Sequence, residues 1–314
     1  MTIVDASLLL RAAAAAAGAQ QYPAAALYMV ATPIGNLADL SLRALHVLAL
    51  VDAVACEDTR HSAPLLHHLG LDKPLVAVHQ HNEREAAQAV LSRLARGERV
   101  AYVSDAGTPA VSDPGAALVA AVRDAGHRVV PIPGPSAALA ALSVAGDTRA
   151  GAFRFVGFLP SRAAERRQAL AALLGQPDAQ LLFEAPHRIA ALAAALAEAC
   201  PQRRVTLCRE LTKQFESVVT LPAAALPGWL AADPNRERGE FVLVLHAPPA
   251  AVVRPQDHDA TLGTLVAALP LRQAVALAVQ ITGAPRNALY ERALALKGQA
   301  APATIDDRDD EPDR

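Results

Sequence analysis

Short apolar runs alternate with helix-like stretches through the first half of the sequence, and this alternation limits the fold more than any other feature. Five runs of strand length begin with LYMVAT at Leu27 and end with RVVPIP at Arg128, and each precedes apolar residues at helical spacing. Strands that alternate with helices in this way are typical of a parallel, doubly wound sheet. We therefore predict an N-terminal α/β domain over residues 27–148.

The pattern changes near Gly146. Five further strand-like runs occur within residues 149–248, and two helical stretches, about 161–174 and 188–199, lie among them. Because several of these runs follow one another directly, we expect antiparallel pairing. Residues 149–248 are therefore predicted to form a second α/β domain.

Four segments flank these two domains. Residues 1–26 form an Ala-rich extension without the basic start of a signal peptide, and we expect it to be disordered or weakly helical. Residues 249–259 are a Pro-rich linker, and residues 260–299 have the pattern of two or three short helices in a helix-turn-helix-like extension. Residues 300–314 form an acidic tail that we expect to be disordered.

The charge of the chain is near zero, but it is unevenly distributed. The formal net charge is −2, whereas the last nine residues alone carry six acids and two arginines. The rest of the chain is therefore slightly basic, which neither proves nor excludes an RNA partner. No apolar run is long enough to span a membrane, and the three cysteines lack the spacing of a zinc site. These features indicate a reduced, cytoplasmic chain with no membrane partner.

Three loops rich in Gly and Pro follow predicted strands of the first domain. They are TPIGN (32–36), SDAGTPAVSDPG (104–115) and PGPSA (133–137). Ligands of open α/β sheets bind at the carboxyl ends of the strands, where these loops lie. None contains G-x-G-x-x-G or a Walker lysine, and their prolines remove N–H donors that a phosphate site needs. One such loop is better explained as a tight turn, but three together predict a cleft for an uncharged or zwitterionic ligand.

Charged residues near strand ends are a weaker signal, because ion pairs that only support the fold give the same pattern. Such groups occur in CEDTR (56–60), FEAPHR (183–188) and CRELTKQFE (208–216), and arginines recur in SRAAERR (161–167). The motif HQH (79–81) has the spacing of half a metal site, but no second cluster accompanies it, and solvated loop histidines explain it better. We predict no metal site.

Taken in order, these motifs resemble one family. The resemblance rests on LYMVATPIGNLADLSLRAL, CEDTR, VSDAGTPAVSDPG, PIPGPSA, FVGFLP, FEAPHR, CRELTKQFE and GEFVLV, and it covers about residues 27–246. The family is the ribosomal RNA small subunit methyltransferase I family, which belongs to the tetrapyrrole-methylase-like (class III) S-adenosylmethionine-dependent methyltransferases.

The resemblance implies a fold, an activity and partners. The implied fold has two α/β domains of the tetrapyrrole methylase type with the cofactor in the cleft between them, plus a small C-terminal helical extension. The implied activity is 2′-O-methylation of the ribose of a cytidine, cytidine 1402, in the decoding region of 16S rRNA. The implied partners are 16S rRNA or the 30S ribosomal subunit, and a second copy of the chain in a homodimer.

The resemblance also implies S-adenosyl-L-methionine as the methyl donor, which agrees with loops that lack a phosphate cradle. Within the loop 104–115 we expect Asp105 and Thr108 to lie closest to the ligand, and Ser112 or Asp113 to cap the next helix with Pro114 in its first turn. The residues carried over as cofactor-binding are Pro33, Ile34, Gly35, Asp105, Gly107, Thr108, Ser136, Ala137 and Phe183.

A ribose hydroxyl is a poor nucleophile, so a nearby base should assist its attack. The sequence does not choose among the candidates, which are Glu57, Asp58, Glu184, His187 and Lys213. Arginine side chains suit contacts with RNA phosphates, although a solvated helix face is an equally good explanation for two of them on the predicted helix 161–174. The candidates for RNA binding are Arg60, Arg188, Arg162 and Arg166.

Two other functions stay open at this point. The first is methylation of a tetrapyrrole or another small molecule, against which the terminal helices argue. The second is a non-catalytic RNA-binding or ribosome-assembly module that retains a cofactor pocket, against which the three intact loops argue.

Overall fold

The first half of the chain forms a five-stranded sheet in which every strand is parallel to its neighbours. The computed structural model describes residues 5–79, 83–249 and 258–299. The strand order is β3-β2-β4-β1-β5, which confirms the doubly wound parallel sheet predicted from the alternation. The strands are β1 (Ala26–Val30), β2 (Ala53–Cys56), β3 (Leu75–Ala77), β4 (Val100–Val103) and β5 (Arg128–Ile132).

Helices cover both faces of this first sheet. Successive residues of a strand point to opposite faces, so Tyr28 packs with Leu48 on one side while Leu27 packs with Leu94 on the other. The two faces are separate apolar clusters, which is why the strands read as continuous hydrophobic runs. The helices are α2 (Leu42–Leu50), α3 (Thr59–His68), α4 (Glu83–Ala95), α5 (Ala116–Asp124) and α6 (Ala137–Ala145).

The N-terminal extension is more ordered than the sequence suggests. Helix α1 (Ala6–Ala17) packs against α2 and buries Ala13 and Ala17 completely or nearly so. Asp5 caps it, since its Oδ1 accepts a hydrogen bond from the backbone N–H of Ser7 at 2.9 Å. Of the two alternatives expected for residues 1–26, the structure has a helix over α1, because small alanine side chains allow close packing on the neighbouring helix.

The second half of the chain forms a mixed sheet with the order β6-β7-β10-β8-β9. The predicted antiparallel pairing is present except between β6 and β7, which are parallel. Helix α7 (Ala163–Leu174) connects these two strands, and a crossover helix returns the chain in the same direction. The strands are β6 (Phe153–Phe158), β7 (Ala179–Glu184), β8 (Arg204–Arg209), β9 (Ser217–Pro222) and β10 (Phe241–Leu245).

The second sheet is covered by its own helices on one face and by a helix of the first half on the other. Helix α7 packs on the first face together with α8 (Ile189–Ala199) and α9 (Leu226–Ala231), the last of which the sequence reading did not anticipate. Helix α6 lays Ala138, Ala141 and Ala145 against the opposite face. Its small side chains let the first half approach the second sheet closely, so α6 joins the two sheets.

The C-terminal part is a separate compact unit, Pro249–Arg314, whereas Met1–Pro248 form the other. Its described helices are α10 (Asp259–Ala268), α11 (Leu271–Thr282) and α12 (Arg286–Gln299). They share an apolar cluster around Leu262 and Leu289, and Arg292 forms a bidentate ion pair with Asp259 that joins the first and last helices. Most of the predicted linker 249–259 and the whole of the predicted tail 300–314 lie outside the described residues.

Candidate functional site

The three Gly- and Pro-rich loops meet at one edge of the first sheet. The loop 32–36 follows β1, the loop 104–115 follows β4 and the loop 133–137 follows β5, and these three strands are neighbours in the strand order. Thr32 and Gly107 exchange two backbone hydrogen bonds of 2.9 and 3.0 Å, and the Thr108 hydroxyl donates to the carbonyl of Pro135 at 3.0 Å. The loops therefore form one hydrogen-bonded wall at the carboxyl ends of the strands, where the doubly wound fold places its ligands.

A cavity of about 390 Å³ lies between this wall and the ends of β7 and β10. A volume of this size is typical of a small-molecule site. Among the described residues, its lining contains three carboxylates, from Asp113, Glu184 and Glu240, and no Lys or Arg. Six of the predicted cofactor residues contribute to the lining, and they are Ile34, Gly107, Thr108, Ser136, Ala137 and Phe183.

The other three predicted cofactor residues, Pro33, Gly35 and Asp105, are not in the cavity lining. Gly35 has φ +157° and lies under the side chain of Lys213, which a Cβ would strike. Asp105 is paired instead, since its Oδ2 lies 2.8 Å from Nδ1 of His61 on α3. The structure thus gives Asp105 a partner in a neighbouring helix, and its expected contact with the cofactor stays a prediction.

The loop 104–115 takes an unusual backbone path over the cavity. Ala110 and Ser112 have φ values of +65° and +63°, a left-handed conformation that is rare for residues with a side chain. Strain of this kind collects at functional sites. The bend it produces places Ser112 and Asp113 in the cavity wall.

The predicted cap of α5 is wrong. Helix α5 begins at Ala116 with Gly115 at its N-cap position, no side chain caps it, and Pro114 precedes it. Gly115 has φ +123°, and a Cβ there would overlap the ring of Tyr102. Asp113 is instead half-buried in the cavity wall, where burial raises the pKa of its carboxyl and the nearby Asp105 adds to the rise.

Glu184 is the one candidate base among the residues that line the cavity. It ends β7 and its side chain is fully buried. Oε1 accepts from the backbone N–H of Ala185 at 2.9 Å and lies 2.9 Å from Nε of Arg188. Oε2 has no hydrogen-bond partner among the described residues. A buried carboxylate oxygen without a partner is costly, and a ligand in the cavity could satisfy it.

The remaining candidate bases lie outside the cavity lining. Glu57 is half-buried, and its pKa is raised by burial first and then by Asp105 and Asp113. Asp58 caps α3 and bonds to Arg60, which lowers the pKa of its carboxyl to about 2.

His187 and Lys213 also lie away from the lining. His187 is exposed in a short 3₁₀ turn after β7. Lys213 is held 2.9 Å from both Glu210 and Glu240. Burial alone would lower the pKa of Lys213, but these two bonds outweigh burial and raise it, so its amine stays protonated.

The predicted RNA-binding arginines divide into two groups. Arg188 is largely buried, and its guanidinium forms an ion pair with Glu184 and donates a hydrogen bond to the carbonyl of Leu159. It therefore joins β7 to the end of β6 and is not available for phosphate. Arg60 and Arg162 are highly exposed, whereas Arg166 is partly buried and reaches the carbonyl at the start of its own helix.

Comparisons with known proteins bear on this arrangement. The family of tetrapyrrole (corrin/porphyrin) methylases matches residues 26–227, and the RsmI C-terminal HTH domain matches residues 253–297. A ribosomal RNA small subunit methyltransferase I from Pseudomonas aeruginosa is 47% identical over 281 residues, which is 88% of this chain and 99% of that protein. The chain belongs to the ribosomal RNA small subunit methyltransferase I family.

Other members and solved structures agree with this. The family member from Escherichia coli O157:H7 is 46% identical and covers 87% of this chain and 96% of its own length. A uroporphyrin-III C-methyl transferase from Thermus thermophilus, solved with S-adenyl homocysteine, aligns with a TM-score of 0.50 and 18% identity over 70% of this chain and 96% of that one. At that identity the likeness concerns the fold alone, and it confirms the tetrapyrrole methylase type expected for this family member.

No group of three or more His, Cys, Asp or Glu side chains among the described residues is arranged to hold a metal ion. His81 of the HQH motif lies outside the described residues. In the part of the chain that the structure describes, no helix is long and apolar enough to cross a membrane.

Asp113 and Phe158 are among the residues of the cavity wall that were not anticipated from the sequence as site residues. Asp113 was expected to cap a helix, and Phe158 was noted only as part of the strand FVGFLP. The position of each depends on an irregular backbone next to it. Asp113 follows the left-handed Ser112, and Phe158 follows the left-handed Gly157. Glycine inside a strand signals a bulge and was the available clue for Phe158.

Proposed function

We propose that this chain transfers the methyl group of S-adenosylmethionine to the 2′-oxygen of a cytidine ribose, cytidine 1402, in the decoding region of 16S rRNA. Membership of the ribosomal RNA small subunit methyltransferase I family supports rRNA as the substrate. The observation that carries the cofactor assignment is the acidic lining of the cavity. The choice of the nucleotide and of the ribose oxygen rests on the family resemblance.

The lining fits this cofactor better than a nucleotide phosphate. S-adenosylmethionine carries a positive sulfonium and a positive ammonium with one carboxylate, so a carboxylate in the wall attracts it. Glu184 and Glu240 already pair with Arg188 and Lys213, so Asp113 is the acid of the lining that has no paired cation among the described residues. Ile34, Gly107, Thr108, Ser136 and Ala137 would hold the cofactor on the side of the first sheet, and Phe183 on the side of the second.

When bound, S-adenosylmethionine supplies an electrophilic methyl group whose departure leaves a neutral thioether, so the leaving group needs no acid. The protein must then hold the ribose hydroxyl in line and exclude water, and positioning of this kind contributes much of the rate of such displacements. Glu184 is the candidate that would accept the hydroxyl proton, because it belongs to the cavity lining and its buried Oε2 has no hydrogen-bond partner among the described residues.

Exposed arginines outside the cavity suit the RNA backbone. Arg60 lies on α3 and Arg162 precedes α7, and both guanidinium groups face solvent although each pairs with a local acid. Exchange of such a weak surface pair for a phosphate contact costs little. The terminal three-helix unit supports an RNA substrate over a tetrapyrrole, since it matches the C-terminal domain typical of this family. A homodimer remains a prediction, which light scattering after size-exclusion chromatography would test.

The test is methyl transfer from radiolabelled S-adenosylmethionine to 30S subunits from a strain that lacks the homologous enzyme. Naked 16S rRNA and a porphyrinogen precursor serve as parallel substrates. We expect label in the RNA, and nuclease digestion followed by mass spectrometry should locate it on a cytidine ribose. Label in the porphyrinogen, or cofactor binding without transfer to either RNA, would overturn the proposal.

A further inference from the structure

An aromatic ring stands at the mouth of the cavity. Phe158 is the last residue of β6, it is part of the cavity lining, and 54% of it is exposed. Its ring lies edge-on to that of Phe183, with centroids 5.8 Å apart and planes at 70°. Phe183 is half-buried behind it, so Phe158 forms the outer part of an aromatic pair that leads from solvent into the cavity.

A β-bulge places Phe158 there. The pairing of β6 with β7 shifts register between Phe155 and Gly157, and Gly157 is left-handed at φ +72°. In a regular strand, residues three apart point to opposite faces. Phe155 and Phe158 nevertheless both contact the ring of Phe183, because the bulge turns the end of the strand.

The bulge also needs a glycine. A Cβ on Gly157 would lie 2.9 Å from the hydroxyl oxygen of Ser112, in the strained loop that forms the opposite wall of the cavity. A side chain at position 157 would therefore clash with Ser112, so the bulge depends on glycine both for its left-handed backbone and for space.

The backbone after Phe158 is fixed from the other side. Arg188 donates to the carbonyl of Leu159 at 2.5 Å, and its Nε lies 2.9 Å from Glu184 at the end of β7. The ring of Phe158 is thus half-exposed, whereas the backbone that follows it is held by Arg188, which is itself paired with Glu184. An exposed aromatic side chain on a rigid support is suited to stacking against a planar ligand, because little conformational entropy is lost on binding.

We propose that Phe158 is the platform on which the base of the target nucleotide stacks. This inference rests on the proposed function, because a ribose that reaches the cavity must leave its attached base near the mouth. Proteins that recognise single-stranded RNA stack unpaired bases on Phe, Tyr or Trp rings in this way. The inner position of Phe183 suits the cofactor, whereas the outward face of Phe158 stays open to the RNA.

The strand offers its own control residue. Phe153 begins β6 and is 49% exposed, so it has the same residue type and nearly the same exposure as Phe158, but it is not part of the cavity lining. Phe153→Leu should therefore report any general effect of removing an exposed ring from this strand. Phe158→Leu removes the ring at the mouth, and Phe158→Tyr retains it.

We expect Phe158→Leu to raise the KM for 30S subunits or 16S rRNA about tenfold, as expected for loss of one base stack, with kcat changed less. The dissociation constant for S-adenosylmethionine, measured by calorimetry, should stay within about twofold of wild type. Phe158→Tyr and Phe153→Leu should both behave like the wild type. An unchanged KM for RNA, or a weakened cofactor, in Phe158→Leu contradicts the inference.

A second readout does not depend on turnover. The chain has one tryptophan, Trp229, so Phe158→Trp adds a single indole at the cavity mouth. Addition of 16S rRNA should quench that added fluorescence and leave the fluorescence of a Phe153→Trp variant unchanged. Equal responses of the two variants would overturn the stacking role while leaving methyl transfer by the wild type intact. Absence of transfer to RNA by the wild type would instead refute the proposed function, and the inference with it.

Discussion

Nδ1 of His61 lies 2.8 Å from Oδ2 of Asp105, so a hydrogen-bonded pair, which is an ion pair when the imidazole is protonated, joins helix α3 to the loop that follows β4. The two residues are 44 positions apart in the sequence. The same loop supplies Gly107, Thr108 and Asp113 to the cavity wall. Asp105 thus belongs to the loop that forms part of the cavity wall without being one of the lining residues itself.

The pair predicts a pH effect. Hydrogen bonding to Asp105 raises the pKa of His61, with Asp58 adding to the rise and Arg60 opposing it. A raised imidazole pKa means that the pair is complete below the ordinary value near 6.5 and is lost as the pH rises through the raised value. NMR titration should show a His61 pKa above that value in the wild type and a lower one in Asp105→Asn.

Cofactor binding should follow the same titration if the pair holds the loop. We expect the affinity for S-adenosylmethionine, measured by calorimetry across this pH range, to decline as His61 loses its proton. In Asp105→Asn that part of the pH dependence should be absent. A His61 pKa that is identical in both proteins would show that the pair does not form in solution.

Gly115 gives a prediction about stability. Its φ of +123° and the ring of Tyr102 both exclude a side chain. Gly115→Ala should therefore destabilise the fold by about 2–4 kcal/mol, since backbone strain and steric overlap add. Gly126 is a matched control, because it is left-handed at φ +80° but has open space around it. Gly126→Ala should cost about 1 kcal/mol in urea unfolding.

Features that depend on hydrophobic periodicity could be predicted from the sequence. Features that depend on the backbone conformation of a single residue could not. Alternating runs were enough for the parallel sheet, because Leu27 and Tyr28 face separate apolar clusters whatever the loops do. The parallel pairing of β6 and β7 follows from the helix that connects the two strands, and a list of strand-like runs does not show it. Asp113 and Phe158 were missed because their direction depends on the left-handed Ser112 and on the bulge at Gly157.

Glu184 should be separable from the other candidate bases by kinetics. Glu184→Gln keeps the size of the side chain but cannot accept a proton, so we expect kcat to fall about a hundredfold with a smaller change in KM. His187→Gln, on the exposed turn two residues past Ala185, should retain nearly the wild-type kcat. Circular dichroism and urea unfolding of both variants would verify the fold. Equal kcat in Glu184→Gln and the wild type would exclude a role for its carboxylate in proton transfer.

Substitution of Asp113 by Asn should increase the stability of the protein and weaken the binding of S-adenosylmethionine. Burial raises the pKa of its carboxyl, so the folded state holds its proton more tightly than the unfolded state does. The free energy of unfolding therefore falls as the pH rises from the ordinary value of 3.8 through the raised one. Asp113→Asn removes this cost, and its urea midpoint at neutral pH should exceed that of the wild type.

The same substitution removes a negative charge from the cavity wall. We expect Asp113→Asn to weaken S-adenosylmethionine about tenfold in calorimetry, the size of effect typical of a lost charged hydrogen bond. Ser112→Ala, at the neighbouring position of the wall, should leave the charge of the cavity unchanged and the affinity closer to wild type. A gain in stability without any loss of affinity would mean that Asp113 is a buried acid of no consequence for the ligand.

Arg188 and Arg162 should respond differently to truncation. Arg188→Ala leaves the buried Glu184 without its cation and frees the backbone at Leu159, so we expect a loss of about 3–5 kcal/mol in unfolding free energy. The double variant Arg188→Met with Glu184→Gln should recover most of that loss. Arg162→Ala should leave stability within about 0.5 kcal/mol of wild type, because its side chain is exposed.

For RNA binding we expect the opposite ranking of the two arginines. Removal of Arg162 should change the binding of RNA, whereas removal of Arg188 should not, provided that the variant is folded. If Arg162 contacts a phosphate, its removal lowers the number of counterions released, so the slope of log affinity against log salt should become shallower by about 0.7–0.9. Filter binding of 16S rRNA at several salt concentrations measures this slope. The double variant Arg188→Met with Glu184→Gln should keep the wild-type slope. In the wild type the Arg188 guanidinium already interacts with Glu184 and the carbonyl of Leu159 inside the protein. A change of slope in the double variant but not in Arg162→Ala would reverse the assignment.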